Sequence, residues 1–202
     1  MNPAPETDEN LVVALRSGKE EAFVALYGRR RGAIYRFSLH MTGSATLAED
    51  ITQEVFLTLI RDRCGYDPQR GTLAGYLFGI ARKLVLRNLS RNRALGDAEA
   101  NDRKTLANFG ACADPMVDLR RQEGIEELRR AVLALPKRYR EVVVLCDLEE
   151  VDYLEAARLL NCPIGTVRSR LHRARALLLE KLRHRIEPPS RLKVLDPARS
   201  LI

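Results

Sequence analysis

The chain has 202 residues, enough for one medium domain or two small ones, and 46% of them are apolar, enough to bury a core in either case. Lys and Arg number 34 against 27 Asp and Glu, and the net charge of +7 favours an anionic partner, either nucleic acid or a membrane surface. No apolar run is long enough to span a bilayer, and the first ten residues are polar with Pro3 and Pro5, unlike a secretory leader, so a soluble cytoplasmic protein is expected.

Apolar residues recur at helical spacing almost throughout, and alternating β-branched runs are missing, so the expected fold class is all-α. A first helix starts after Thr7, with Asp8 and Glu9 in its first turn where they complement the helix dipole, and stops at Gly18. A second runs from about Lys19 to Met41 and buries Phe23, Leu26, Tyr27, Ile34 and Phe37, with Gly43 ending it. The third begins near Ser44 and buries Leu47, Ile51, Val55 and Leu59 at four-residue steps. A loop from Gly65 to Gly71 contains Pro68, and a fourth helix spans roughly Thr72 to Arg91.

Between Asn92 and about Leu119 the periodicity fades among Gly96, Gly110 and Pro115, which predicts a flexible linker between two small helical domains. Ile125, Leu128 and Val132 mark the next helix. A break at Leu135 and Pro136 follows, with Pro136 suited to a first helical position, and then a helix carrying Tyr139, Val142, Val143 and Cys146. Pro188, Pro189 and Pro197 lie in a tail. The expected domain bounds are 8–93 and 122–185, joined by a linker over 94–121 and followed by the tail over 186–202.

The most informative stretch runs from Asp152 to Leu182. Asp152 and Glu155 form a capping-box pattern, Ala156, Ala157 and Leu160 give a short helix, and Asn161 suits the left-handed residue that ends it. Pro163 starts the next helix, with Ile164, Val167, Leu171, Ala174 and Leu178 as its inner face. That leaves Thr166, Arg168, Ser169, Arg170, His172 and Arg173 pointing outward, the pattern of a helix-turn-helix whose second helix reads a DNA groove. Arg can pair with guanine through two hydrogen bonds, while Arg175, Lys181, Arg183 and Arg185 further along suit phosphates. A plain solvated basic helix is the alternative.

Cys64, Cys112, Cys146 and Cys162 stand far apart with no C-x-x-C pair, and His40, His172 and His184 show no ligand spacing, so neither a metal site nor a disulfide framework is expected. No Ser, His and acid grouping, phosphate-cradling glycine loop or His-Glu metal motif is present; no catalysis and no cofactor are expected.

Leu135-Pro136 with Tyr139-Arg140, then Glu155-Ala156-Ala157, then the run from Gly165 to Arg175 resemble the σ4 domain of extracytoplasmic-function (ECF) sigma factors of the sigma-70 family. Ala48-Glu49-Asp50-Ile51-Thr52-Gln53-Glu54-Val55-Phe56 is similar to that family's σ2 motif. The likeness covers about Leu11 to Arg93 and Glu123 to Leu182. It implies an alternative sigma factor that binds core RNA polymerase and directs promoter-specific initiation. Asp50, Gln53, Glu54 and Leu57 would then dock on the β′ clamp, and σ4 on the β flap. The helix with Tyr76, Arg82, Lys83, Arg87, Arg91 and Arg93 would hold the melted downstream element, basic groups with an aromatic being suited to single strands. Tyr66 and Arg70 in the preceding loop are candidates for a flipped-base pocket; a plain connecting loop is the other reading.

The chain departs from the family where Trp-Leu and Ala-Arg-Asn are usual: Tyr76-Leu77 and Ala81-Arg82-Lys83 stand there, which bears on base preference. Pro163 replaces a frequent Ser cap, which bears on the angle of the recognition helix. The resemblance also implies promoter DNA and an anti-sigma factor as partners. Two rival readings remain on the residues alone: a stand-alone helix-turn-helix regulator, which would need neither the acidic motif nor the basic fourth helix, and a membrane-surface protein, whose apolar face the helix-turn-helix core already requires.

Overall fold

Thr7 opens the first helix through its own side chain, which accepts from the Asn10 amide at 3.3 Å. A computed structural model describes residues 7–62, 65–94 and 115–186, and among them every regular element is helical. The first four are α1 (Asp8–Arg16), α2 (Glu20–Thr42), α3 (Ala45–Arg61) and α4 (Leu73–Ala94). Ser44 caps α3 by accepting from the Leu47 amide, and a short 3-10 turn, Pro68–Arg70, leads into α4. Helix α2 ends at Gly43 in the left-handed region, φ +76°, as the sequence predicts.

These helices enclose one core. Leu26, Ile34, Phe37 and Met41 of α2, Val55 and Phe56 of α3, and Leu77 and Val85 of α4 are fully or nearly fully buried. Phe56 stands edge-on to Tyr27 at 4.8 Å, and Phe37 edge-on to Phe78 at 5.5 Å. Each such side chain withdrawn from water stabilises the fold by about 1.5–3 kcal/mol.

The second half comprises α5 (Pro115–Leu133), α6 (Lys137–Val143), α7 (Tyr153–Leu160) and α8 (Ile164–Ile186). Helix α6 runs into a wider π turn, Val144–Leu148, before α7. Val132, Val142, Leu160, Val167, Leu171 and Ala174 fill the core between them. Helix α5 starts inside the stretch read as a linker; the rest of that stretch and the tail from 187 lie outside the described residues.

Ile125, 42% exposed, and Leu128 lie on α5 without being covered, and two details differ from the sequence reading. Ile164 is exposed too, at the outer rim of α8. Pro136 precedes α6 as its cap residue rather than standing first inside it.

The two halves pack on each other. The Arg140 guanidinium donates through Nη1 to the Met41 carbonyl at 2.9 Å, and through Nη2 to the Leu133 carbonyl and, at 3.2 Å, to that of Leu135. Arg36 pairs with Glu149 at 2.8 Å, and Arg82 with Glu141 at 3.1 Å. A Cβ added at Gly43 would meet Leu133 Cδ1 at 3.2 Å, so α2 and α5 approach closely there.

Candidate nucleic-acid and polymerase interfaces

Helix α7 and the start of α8 form the expected helix-turn-helix. Asp152 caps α7 by accepting from the amides of Leu154 and Glu155, at 2.8 and 3.1 Å. Asn161 takes φ +49° and closes it, and the Pro163 carbonyl accepts the first bonds of α8, from Thr166 and Val167. Val167, Leu171 and Ala174 then face inward, buried. Arg168, Ser169, His172 and Arg173 are exposed on the opposite side, while Thr166 and Arg170 are half-buried. The Arg170 guanidinium reaches Cys162 Sγ at 4.0 Å. Arg173 hydrogen-bonds Tyr139 and, with Arg138, holds that phenol below its ordinary pKa.

Arg175 has a partner within the second half. Its Nη2 donates to Asp147 Oδ1 at 2.6 Å and its Nε to Oδ2 at 3.0 Å, a two-point grip between α8 and the π turn that raises the pKa of the guanidinium. It thus links two elements of the same half while its side chain stays 54% exposed.

The second basic surface lies on α4 and the loop before it. Lys83, Arg87 and Arg91 are exposed along α4, Arg70 is exposed on the 3-10 turn, and Arg82 is half-buried against Glu141. Arg93 lies where side chains are not described. Tyr66 does not stand open to solvent: it is 3% exposed, its ring 5.8 Å from that of the half-buried Tyr76, and its hydroxyl has no hydrogen-bond partner among the described residues. Burial raises the pKa of both phenols, with Glu9, Asp8 and Glu155 adding to the effect at Tyr66 and Asp62 at Tyr76.

The acidic motif stays on one side of α3. Asp50 and Gln53 are exposed, Glu54 is half-exposed with Arg61 at 3.7 Å, and Leu57 adds a 42% exposed apolar side chain one turn on. Among the described residues no three His, Cys, Asp or Glu side chains gather as a metal site. No described helix is long and apolar enough to cross a membrane. Burial, with Asp147 close by, pushes the Cys146 thiol up to about 11, so it is protonated at neutral pH.

Two family models match these halves in order: Sigma-70 region 2 over residues 26–95 and Sigma-70, region 4 over residues 125–178. The ECF RNA polymerase sigma-E factor of Escherichia coli K12 is 30% identical over 188 residues, covering 87% of this chain and 94% of that protein. The chain belongs to the ECF sigma factors. SigW of Bacillus subtilis, another ECF RNA polymerase sigma factor, is 29% identical over 178 residues, 84% of this chain and 93% of its own. Two solved structures share the fold at 23% identity. One is CnrH in complex with the cytosolic domain of CnrY, with TM-score 0.66 over 88% of this chain and 97% of the matched one. The other is the sigma factor RpoE with the anti-sigma factor NepR from Bartonella quintana, with TM-score 0.65 over 80% and 96%.

As an ECF sigma factor the protein is a transcription initiation factor with helix-turn-helix DNA-binding architecture, and the stand-alone regulator is not favoured. Four residues that shape its surfaces have roles the sequence reading did not give: Asp147, which holds Arg175; Glu141 and Glu155, which meet the first half; and Arg140, whose place in the family-like run gave no role. Their partners are distant in sequence, so only the packed chain reveals them.

Proposed function

We propose that the two halves of this sigma factor hold two promoter elements while it rides on core RNA polymerase. Thr166, Arg168, Ser169, Arg170, His172 and Arg173 read the upstream element from the first two turns of α8, and Lys181 and Arg183 meet phosphates beyond. Arg70, Tyr76, Arg82, Lys83 and Arg87 hold the melted downstream strand, with Tyr66 as the floor behind Tyr76. Asp50, Gln53, Glu54 and Leu57 dock on the β′ clamp, and the second half rests on the β flap. The chemistry of RNA synthesis belongs to the polymerase.

The observation that carries this reading is the separation of surfaces: an acidic face with an apolar knob on α3, and cations on α4 and α8, on a fold that matches both sigma-70 regions in order. Core docking on one face leaves the basic faces for DNA. An anti-sigma factor that covers these surfaces and a cytoplasmic location complete the proposal, in line with the complexes in which the fold's relatives were solved.

Reconstituted transcription with bacterial core polymerase over a promoter pool from the source genome tests it. Discrete starts that require the protein are expected, with two recurring elements upstream of them. Duplex promoter binding by the isolated protein, with no initiation in the presence of core, would refute the assignment.

A further inference from the structure

Arg16 closes α1, and a cation in the last turn of a helix has a ready explanation in the helix dipole. Its guanidinium does something further. Nη2 donates to the Tyr66 carbonyl, 50 positions along the chain, in the loop that leads into α4. Helix α1 is a firm base for such a reach: Leu11, Val12 and Leu15 are buried, and Asp8 at its start pairs with Arg29 at 2.7 Å and with Arg30.

The loop is well ordered within itself. Asp67 accepts from the Gln69 amide at 3.0 Å through its carboxylate and from the Arg70 amide at 3.0 Å through its carbonyl, which folds the Pro68–Arg70 turn. At one end the Gly65 amide donates to the Asp62 carbonyl at 3.1 Å, and at the other the Thr72 hydroxyl accepts from the Gly75 amide at 3.0 Å. Between these ends the Tyr66 ring is buried against Tyr76, yet its hydroxyl has no hydrogen-bond partner among the described residues, so packing holds the ring. The bond from Arg16 to the Tyr66 carbonyl is directional, and it fixes the plane of the peptide from which the turn springs. Arg70 stands exposed on that turn.

We propose that Arg16 is a positioning residue for the downstream promoter element: it touches no base, and it sets the direction in which the loop presents Arg70 to the melted strand. This rests on the assignment of the loop and α4 to that strand. A side chain aimed before the strand arrives loses less freedom on binding, so a tether on its loop sharpens the choice among bases.

Arg16→Met, which keeps most of the stem and deletes the donors, and Arg16→Lys, which retains a charged donor, test the idea in the full chain. Reconstituted transcription with core polymerase over promoters randomised in the downstream element reads base preference. Arg16→Met is expected to flatten that preference by about tenfold, the low end for a hydrogen bond to a charged group, with Arg16→Lys recovering part of it. Upstream preference and core pull-down should not change. In an Arg70→Ala background Arg16→Met should add nothing, because it acts through that side chain. Hydrogen exchange of the protein alone reads the loop, with the Gln69 and Arg70 amides exchanging faster in Arg16→Met. Unchanged downstream preference, or an equal loss in the Arg70→Ala background, overturns the positioning role. So does a joint fall in both preferences with lost helix by circular dichroism, since Arg16 would then serve the fold as a whole. Failure of the wild-type protein to initiate with core polymerase sinks the functional assignment instead, and unchanged exchange at Gln69 and Arg70 overturns the tether by itself.

Discussion

Replacing Arg140 by Met keeps most of the stem and deletes three hydrogen bonds at once, to the carbonyls of Met41, Leu133 and Leu135. The first two lie in the last turns of α2 and α5, among the acceptors a helix cannot satisfy internally. Each bond to a charged donor contributes about 1.5–3 kcal/mol. Two effects reduce the sum: carbonyls near helix ends regain water, and burial already holds the Arg140 guanidinium below its ordinary pKa, a desolvation cost that Met does not incur. A net loss of about 3 kcal/mol follows, the low end of what breaking a buried charged contact costs. For a chain of this size that lowers Tm by about 6–12 °C. Thermal unfolding followed by circular dichroism measures it, with Arg140→Lys as comparison, expected to recover at most part of the loss since one ammonium cannot span all three carbonyls. A drop of under about 1 kcal/mol in Arg140→Met would refute the reasoning, because the carbonyls would then be satisfied without the guanidinium.

Glu54→Ala should weaken binding to core polymerase while leaving promoter preference intact, and Arg173→Ala should do the reverse, losing about 1–3 kcal/mol at one base pair of the upstream element. Core pull-down and promoter-pool sequencing separate the two, and equal loss of both properties in both variants counts against the division of labour. Burial, with Arg129 and Arg36 close by, lowers the pKa of His40 from 6.5 to about 4. The folded state therefore favours the neutral ring, and stability that is full above about 6.5 falls as pH drops toward about 4, by up to about 3 kcal/mol. Tm against pH should show a loss over that window which His40→Gln flattens. Gly43→Ala forces a side chain into φ +76° and against Leu133, and should cost about 1–2 kcal/mol in denaturant titration.

The helix boundaries were legible because their causes are local. Thr7, Ser44, Asp152 and Asn161 act on backbone within about one turn of themselves, so a short window of sequence contains both partners. The inner face of α8 was legible for the same reason, as a repeat along one helix. Glu155, by contrast, meets Thr72 across 83 positions, Arg82 meets Glu141 across 59 and Arg175 meets Asp147 across 28. The capping-box signal at Asp152 and Glu155 was half right: Asp152 caps, and Glu155 accepts from the amide and hydroxyl of Thr72. The surroundings of Tyr66 were hidden for a related reason. A tyrosine among Gly, Asp and Pro looks like a loop side chain, and here the loop folds back so that its ring lies against Tyr76.

The grip of Asp147 on Arg175 limits what α8 can spell. With Arg175 tied to Asp147, the side chains proposed to read bases run from Thr166 to Arg173, a stretch of about 12 Å at the rise of an α-helix. Duplex DNA advances about 3.4 Å per base pair, so on the proposed reading this stretch can face about four base pairs of the upstream element. A word so short would recur throughout any genome, and on that reading its distance from the melted element becomes part of the address.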